Sequence, residues 1–207
     1  MRFVPTFQKY RLNILLSDYR NDENAPRDKG GYHMFGLTEW PDLESAVEFC
    51  RENGAEKIFL MGHSMGGAIL IKYLLESPTA SLISGAILES PALDLNKIIE
   101  MKAAEIPLLP RGSEYPVKKL VSRMGGLRWE DLNYLKRVDE LSTPMLLIHS
   151  QSDETVPVTL SDRLATQRPD IVSYLRLENA PHGAAWNTDK EVVESSIGTF
   201  ISQNLNS

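Results

Sequence analysis

The apolar positions of this chain alternate between two periods. Short buried runs occur at Leu12–Ser17, Lys57–Met61, Leu82–Leu88, Met145–Ile148 and Val172–Leu177, and each is too short for a helix but long enough for a strand. Between them the spacing changes to that of helices. Over Pro41–Asn53, Leu43, Ala46, Val47 and Cys50 fall on one face and Gly54 stops the run, while Glu39 and Asp42 sit at the end where a helix dipole favours acidic side chains. Helices are predicted again over Met65–Glu76, ended near Pro78, and over Thr159–Thr166 and Asp189–Asn204. Asp18 to Tyr32, rich in Asn, Asp, Pro and Gly, reads as a loop. Strands that alternate with helices predict an α/β fold, a mostly parallel sheet with helices on both faces and right-handed crossovers.

One stretch departs from this rhythm. Pro91 to Leu141 is long for a single crossover and holds Pro107, Pro110, Gly112, Pro116, Gly125 and Gly126, with short helical patterns at Leu93–Ala104 and Val117–Met124. Loops of that length are usually lids or binding segments, so residues 91–141 are expected to form a small cap over the carboxyl edge of a single domain spanning residues 1–207.

Composition narrows the picture. A chain of 207 residues with 42% hydrophobic content can bury one sizeable core. The net charge of −6 argues against nucleic acid or an anionic membrane surface as a partner. Arg111, Lys118, Lys119, Arg123 and Arg128 cluster loosely and read as a solvated helical face. Cys50 is the only cysteine, which excludes an intrachain disulfide and favours a reducing, cytoplasmic setting, with the thiol packed beside Val47 and Phe49. Met1 to Tyr10 has no apolar core of a signal peptide, and no run reaches the ~18 apolar residues of a membrane helix.

The chemistry-bearing segment is Gly62-His63-Ser64-Met65-Gly66-Gly67, between the strand at Lys57–Met61 and the helix at Met65–Glu76. G-x-S-x-G in that setting is the signature of a nucleophile elbow, in which a tight turn lifts the serine hydroxyl above the sheet beside a helix N-terminus. Glycine is expected at 62 and 66 because larger side chains would clash with the strand or the helix. A serine hydroxyl is a poor nucleophile alone and needs a base, and that base needs an orienting group. Loops after later strands supply them in the order serine, acid, histidine. Asp153, just past Met145–Ile148, is favoured as the acid over Asp94, which follows the preceding strand. His182 is favoured as the base, since of His33, His63, His149 and His182 it alone follows both the acid and the last strand. His63 is expected to pack or bond locally, and His149 to be buried at a strand end. The histidines are not at paired ligand spacing, there is no cysteine cluster, and residues 62–67 lack the lysine of a phosphate-binding loop, so no metal or organic cofactor is called for.

Taken together, the elbow, Asp18-Tyr19-Arg20 after a strand, the loop Ser152 to Pro157 and Ala180-Pro181-His182-Gly183 resemble the α/β-hydrolase superfamily, and Gly36 to Leu43 looks like its serine esterases, lipases and peptidase-like hydrolases. The resemblance implies Ser64 as nucleophile, His182 as base, Asp153 as acid and the Met65 backbone N–H as an oxyanion donor. It implies a small-molecule acyl ester as substrate, with thioester or peptide cleavage as rivals. Met34, Phe35 and Trp186 are expected to line an acyl pocket.

The opening of the chain departs from the family pattern. Arg2 to Tyr10 looks like the end of the family's first helix, with three preceding strands and an oxyanion loop absent. That reads as an α/β-hydrolase fold truncated at its N-terminus, with a gap of about 10 Å beside Lys57–Met61. The alternative to an active esterase is therefore a weakly active or non-catalytic chain that binds a partner, or forms a homo-oligomer, through an open sheet edge.

Overall fold

The computed structural model describes residues 2–108, 110 and 112–205. Arg111, one of the loosely clustered cations, lies outside the described residues. The chain begins with α1 (Val4–Lys9) and α2 (Trp40–Glu52), followed by β1 (Ile58–His63), α3 (Met65–Glu76) and β2 (Ile83–Glu89). Next come α4 (Leu95–Ala104), α5 (Glu114–Gly125) and three short 3-10 turns between Trp129 and Glu140, then β3 (Met145–Ser150) and α6 (Val158–Gln167). β4 (Val172–Leu177), α7 (Ala185–Thr188) and α8 (Lys190–Leu205) complete it. The strands form one sheet in the order β1-β2-β3-β4, and every neighbouring pair is parallel.

The two-residue period of the strands divides the core in two. Ile58 and Leu60 of β1, Ala86 and Leu88 of β2, and Met145 and Leu147 of β3 face a cluster shared with Val47 of α2, Leu70, Ile71 and Tyr73 of α3, and Leu160 and Leu164 of α6. The intervening residues, Phe59, Met61, Ile87, Leu146 and Ile148, face the other side. There they meet Val193, Ile197, Phe200 and Ile201 of α8 and Phe3 and Phe7 at α1. Thr6 Oγ1 donates to Glu194 Oε1 at 3.0 Å and Lys9 pairs with Glu194 Oε2 at 2.6 Å, which ties α1 to α8. The expected parallel sheet with helices on both faces is thus the observed one.

One predicted element is absent. Leu12–Ser17 carries no strand, and Leu15 and Leu16 are 47% and 63% exposed. A β-strand exists only where a neighbour takes up its backbone N–H and C=O groups. Among the described strands β1 pairs with β2 alone, so nothing holds residues 12–17 in a ladder. The following Arg20 is anchored instead to α2: its guanidinium and its backbone N–H all donate to the Asp42 carboxylate at 2.8–2.9 Å. Among the described residues no helix is long and apolar enough to cross a membrane.

Candidate active site

Three loops converge at the carboxyl ends of the strands. The first is the turn between β1 and α3. Ser64 has φ 51° and ψ −115°, a conformation that costs a non-glycine residue about 1–3 kcal/mol and persists only when its surroundings over-determine it. They do so here: Ser64 N–H donates to Glu89 O at 2.9 Å, and Ser64 O accepts from Gly67, Ala68 and Ala92 N–H groups at 3.0–3.3 Å. The crowding expected at both Gly62 and Gly66 occurs at one of them. A Cβ on Gly62 would lie 2.5 Å from the Gly66 carbonyl oxygen, whereas one on Gly66 would enter open space. The two backbones pass too closely for a side chain on the strand, while the helix position points away.

The second and third loops follow β3 and β4 and are stitched together. Ser150 Oγ accepts from Ser152 N–H at 3.2 Å and Ala180 N–H at 2.8 Å, Gln151 N–H donates to Leu177 O at 2.8 Å, and Ser152 Oγ donates to Glu178 O at 2.6 Å. These bonds fix Asp153 and His182 relative to each other. His182 Nδ1 lies 2.7 Å from Asp153 Oδ2, and His182 Nε2 lies 3.0 Å from Ser64 Oγ. Because a carboxylate only accepts, Nδ1 carries the proton and Nε2 is left to accept from the serine hydroxyl. The Asp153 side chain is fully buried, and that of His182 is 18% exposed. Burial alone would raise the Asp153 carboxyl. Donation from His149, from His182 and from the Val156 and Thr155 N–H groups outweighs it and holds the carboxyl far below the usual carboxylate range.

Asp94, the rival acid, is otherwise occupied. It caps α4 by accepting from Lys97 N–H at 3.2 Å and takes a bond from Asn133 Nδ2 at 2.6 Å. His63 packs at the elbow, its Nδ1 3.4 Å from the buried Glu89 Oε2 and its ring centroid 4.9 Å from that of His182. Burial lowers the His63 imidazole from its ordinary value; Glu89 opposes that shift, and His182 and Arg2 add to it. Gly183, at φ 64°, lies under the His63 ring, where a Cβ would come within 2.4 Å of Cε1. Met65 is the first residue of α3, so its N–H has no partner within the helix.

The described contacts do not join the expected pocket residues to this chain of bonds. Phe35 packs against the larger core cluster and its carbonyl accepts from Tyr134 Oη at 2.7 Å. Met34 N–H donates to Glu39 Oε1 at 2.5 Å. Trp186, in α7, packs with the α8 cluster and donates to Glu194 Oε1 at 3.2 Å. A contact not foreseen is that of His149. Its burial was expected, but its bond to Asp153, four residues on, was not, although the spacing His149-x-x-x-Asp153 in a strand-end loop was visible. Among the described residues no group of three or more His, Cys, Asp or Glu side chains is placed to hold a metal ion.

The all-parallel sheet, with its strand, serine turn and helix at the β1 edge, has the α/β-hydrolase fold. Residues 40–133 match the Hydrolase_4 family, described as serine aminopeptidase, S33. The whole chain is 22% identical to YqkD, an uncharacterized protein of Bacillus subtilis, and spans 67% of its length. Some 93% of the chain is 25% identical to Rv2307c, an uncharacterized protein of Mycobacterium tuberculosis, and spans 60% of it. Among solved structures, the Pyrococcus furiosus esterase Pf2001 superposes with a TM-score of 0.75 at 22% identity, over 98% of this chain and 74% of that one. The monoacylglycerol lipase of Paleococcus ferrophilus gives 0.60 at 19% identity, over 95% and 89%. Likeness at these identities establishes the fold.

Proposed function

We propose that this protein is a serine hydrolase that cleaves an ester or related acyl bond through an acyl-enzyme. The observation that carries the proposal is the unbroken run of bonds from Ser64 through His182 to Asp153, at 3.0 and 2.7 Å, at the mouth of a strained turn. Ser64 Oγ attacks the acyl carbon while its proton passes to His182 Nε2, and the negative charge of Asp153 stabilises the imidazolium that results. The oxyanion takes a hydrogen bond from Met65 N–H, aided by the positive end of α3. Collapse expels the alcohol, which takes the proton from His182. Water then attacks the acyl carbon as His182 removes its proton, the acid leaves, and Ser64 regains its hydrogen.

A small-molecule acyl ester is the substrate class this reading favours, in keeping with fold neighbours that are an esterase and a lipase. Residues 91–141, with α4 and α5, serve as a cap over the site, and Lys102 Nζ, which donates to Glu154 O, ties that segment to the acid loop. Met34, Phe35 and Trp186 are assigned to its acyl-binding surroundings.

The test is covalent. A fluorophosphonate should add once per chain, on the peptide bearing Ser64, and Ser64→Ala should abolish the adduct. Labelling elsewhere, or none on folded protein, would remove the proposal.

A further inference from the structure

We propose that His149 is a second positioning residue for Asp153, so that the acid is clamped between two histidines. The inference rests on the reading of Ser64, His182 and Asp153 as the reacting set. His149 ends β3, and its side chain is fully buried. Its Nε2 lies 3.1 Å from Asp153 Oδ2 and 3.1 Å from Val156 O, and both are acceptors, so Nε2 carries the hydrogen and donates. Nδ1 lies 2.7 Å from Ser161 Oγ on α6, a hydroxyl able to donate in return. The continuous chain is therefore Ser161, His149, Asp153, His182, Ser64. It runs from the middle of a helix, through a strand end and two loops, to the elbow.

The bonds on Asp153 divide by oxygen. Oδ1 accepts the Thr155 and Val156 N–H groups at 2.9 and 2.8 Å, which fixes the carboxylate on its own loop. Oδ2 accepts both histidines. His149 therefore does two things that backbone donors cannot. It sets the rotation of the carboxylate about its loop so that Oδ2 faces His182, and it shares the charge that Oδ2 offers to His182. Without it, more of that charge falls on His182, and the imidazolium form is favoured to higher pH. A buried imidazole that only filled space would do neither.

The other titratable and charged groups nearby are the same in wild type and in every variant. Asp162 on α6 and Arg176, opposite His149 in the β3–β4 register, pair with each other at 2.9 Å. His182 is faced by Ser64, Asp153 and His63, with Glu89 and Arg2 behind the last.

The experiment compares the full chain with His149→Leu, His149→Gln and Ser161→Ala, with a p-nitrophenyl ester as probe from pH 5 to 9. Gln places an amide N–H where the ring Nε2 stood, so it keeps the donor without the ring. His149→Leu is expected to lose about 10–100-fold in kcat with KM within twofold, as for other residues that orient a reacting group. Its acid limb in kcat/KM is expected to move up by about half to one pH unit. His149→Gln should stay within a few-fold of wild type with its limb in place. Ser161→Ala, which frees only Nδ1, should fall between and carries the comparison if His149→Leu does not fold. Equal behaviour of Leu and Gln, an unmoved limb in His149→Leu, or wild-type behaviour of Ser161→Ala alongside an unfolded His149→Leu, overturns the proposal.

A second readout needs no turnover. In the Ser64→Ala background, the low-field proton resonance of the His182 Nδ1 bond should move downfield when His149 becomes Leu, and stay put for Gln. Loss of Ser64-dependent turnover in wild type would sink the catalytic reading; an unmoved resonance would sink the role of His149.

Discussion

Replacing Gly62 with alanine places a methyl group 2.5 Å from the Gly66 carbonyl oxygen and 2.6 Å from its carbon. Real Cβ atoms essentially never come within 3.0 Å of such neighbours, and both are backbone rather than the yielding end of a side chain. The β1–α3 turn must therefore open by at least about 0.5 Å, an overpacking that costs about 1–3 kcal/mol. For a domain of this size each kcal/mol lowers Tm by about 2–4 °C. The same movement carries Ser64 away from His182 Nε2, and displacements approaching an ångström cost up to ~10²-fold in turnover. Gly66→Ala is the matched control, because its methyl group meets nothing within 4 Å. In a helix it should gain about 0.5–1 kcal/mol from the reduced freedom of the unfolded chain. Urea denaturation of the two variants beside wild type reads both effects. An unchanged midpoint for Gly62→Ala, or an equal loss for Gly66→Ala, would refute the account of the turn.

Further outcomes follow from the same geometry. Asp153→Asn should lower kcat by ~10³–10⁴ with little change in KM, since the neutral amide cannot hold His182 in the required tautomer; a loss under tenfold would contradict that. The Asp153 carboxyl sits below its unfolded value, so its stabilisation is present above about pH 4 and is lost as the pH falls toward the folded value. Stability measured between pH 5 and pH 2 should thus fall less steeply in Asp153→Asn than in wild type, and equal slopes would contradict the pairing. Gly183→Ala should cut turnover about tenfold by pressing on the His63 ring, and His63→Ala in the same chain should restore part of it; strict additivity of the two changes would exclude the contact. Amide hydrogen exchange should be fast over residues 12–17 and slow in β2 and β3, and slow exchange at 12–17 would mean that a strand forms there after all.

The sheet was legible in the sequence wherever an apolar run had a partner to pair with. β4 was predicted at its observed bounds, and α3 likewise, because Gly, Pro and polar residues close both ends. Leu12–Ser17 carries no strand because a strand is a property of two segments, and the apolar run within one of them says nothing of whether another lies beside it to pair with. α7 went unseen because four residues, Ala185–Thr188, are too few to show a helical period. Ser64, Asp153 and His182 were singled out from chain order relative to the strands, and the structure brings the three side chains within 3.0 and 2.7 Å of one another along the row. Asp94 stayed a rival until its bonds to Lys97 N–H and Asn133 were visible. The bond from His149 to Asp153 was hidden because it depends on how the loop after β3 curls back, bringing a strand-end side chain onto the loop's own carboxylate.

The most direct measurement is hydrolysis of a short p-nitrophenyl ester by the full chain beside Ser64→Ala, with folding of both checked by circular dichroism. The account predicts turnover in the wild type and a loss of at least about 10³-fold in the variant, the scale set by removal of a triad nucleophile. Turnover undiminished in Ser64→Ala, or none in a well-folded wild type, would contradict it.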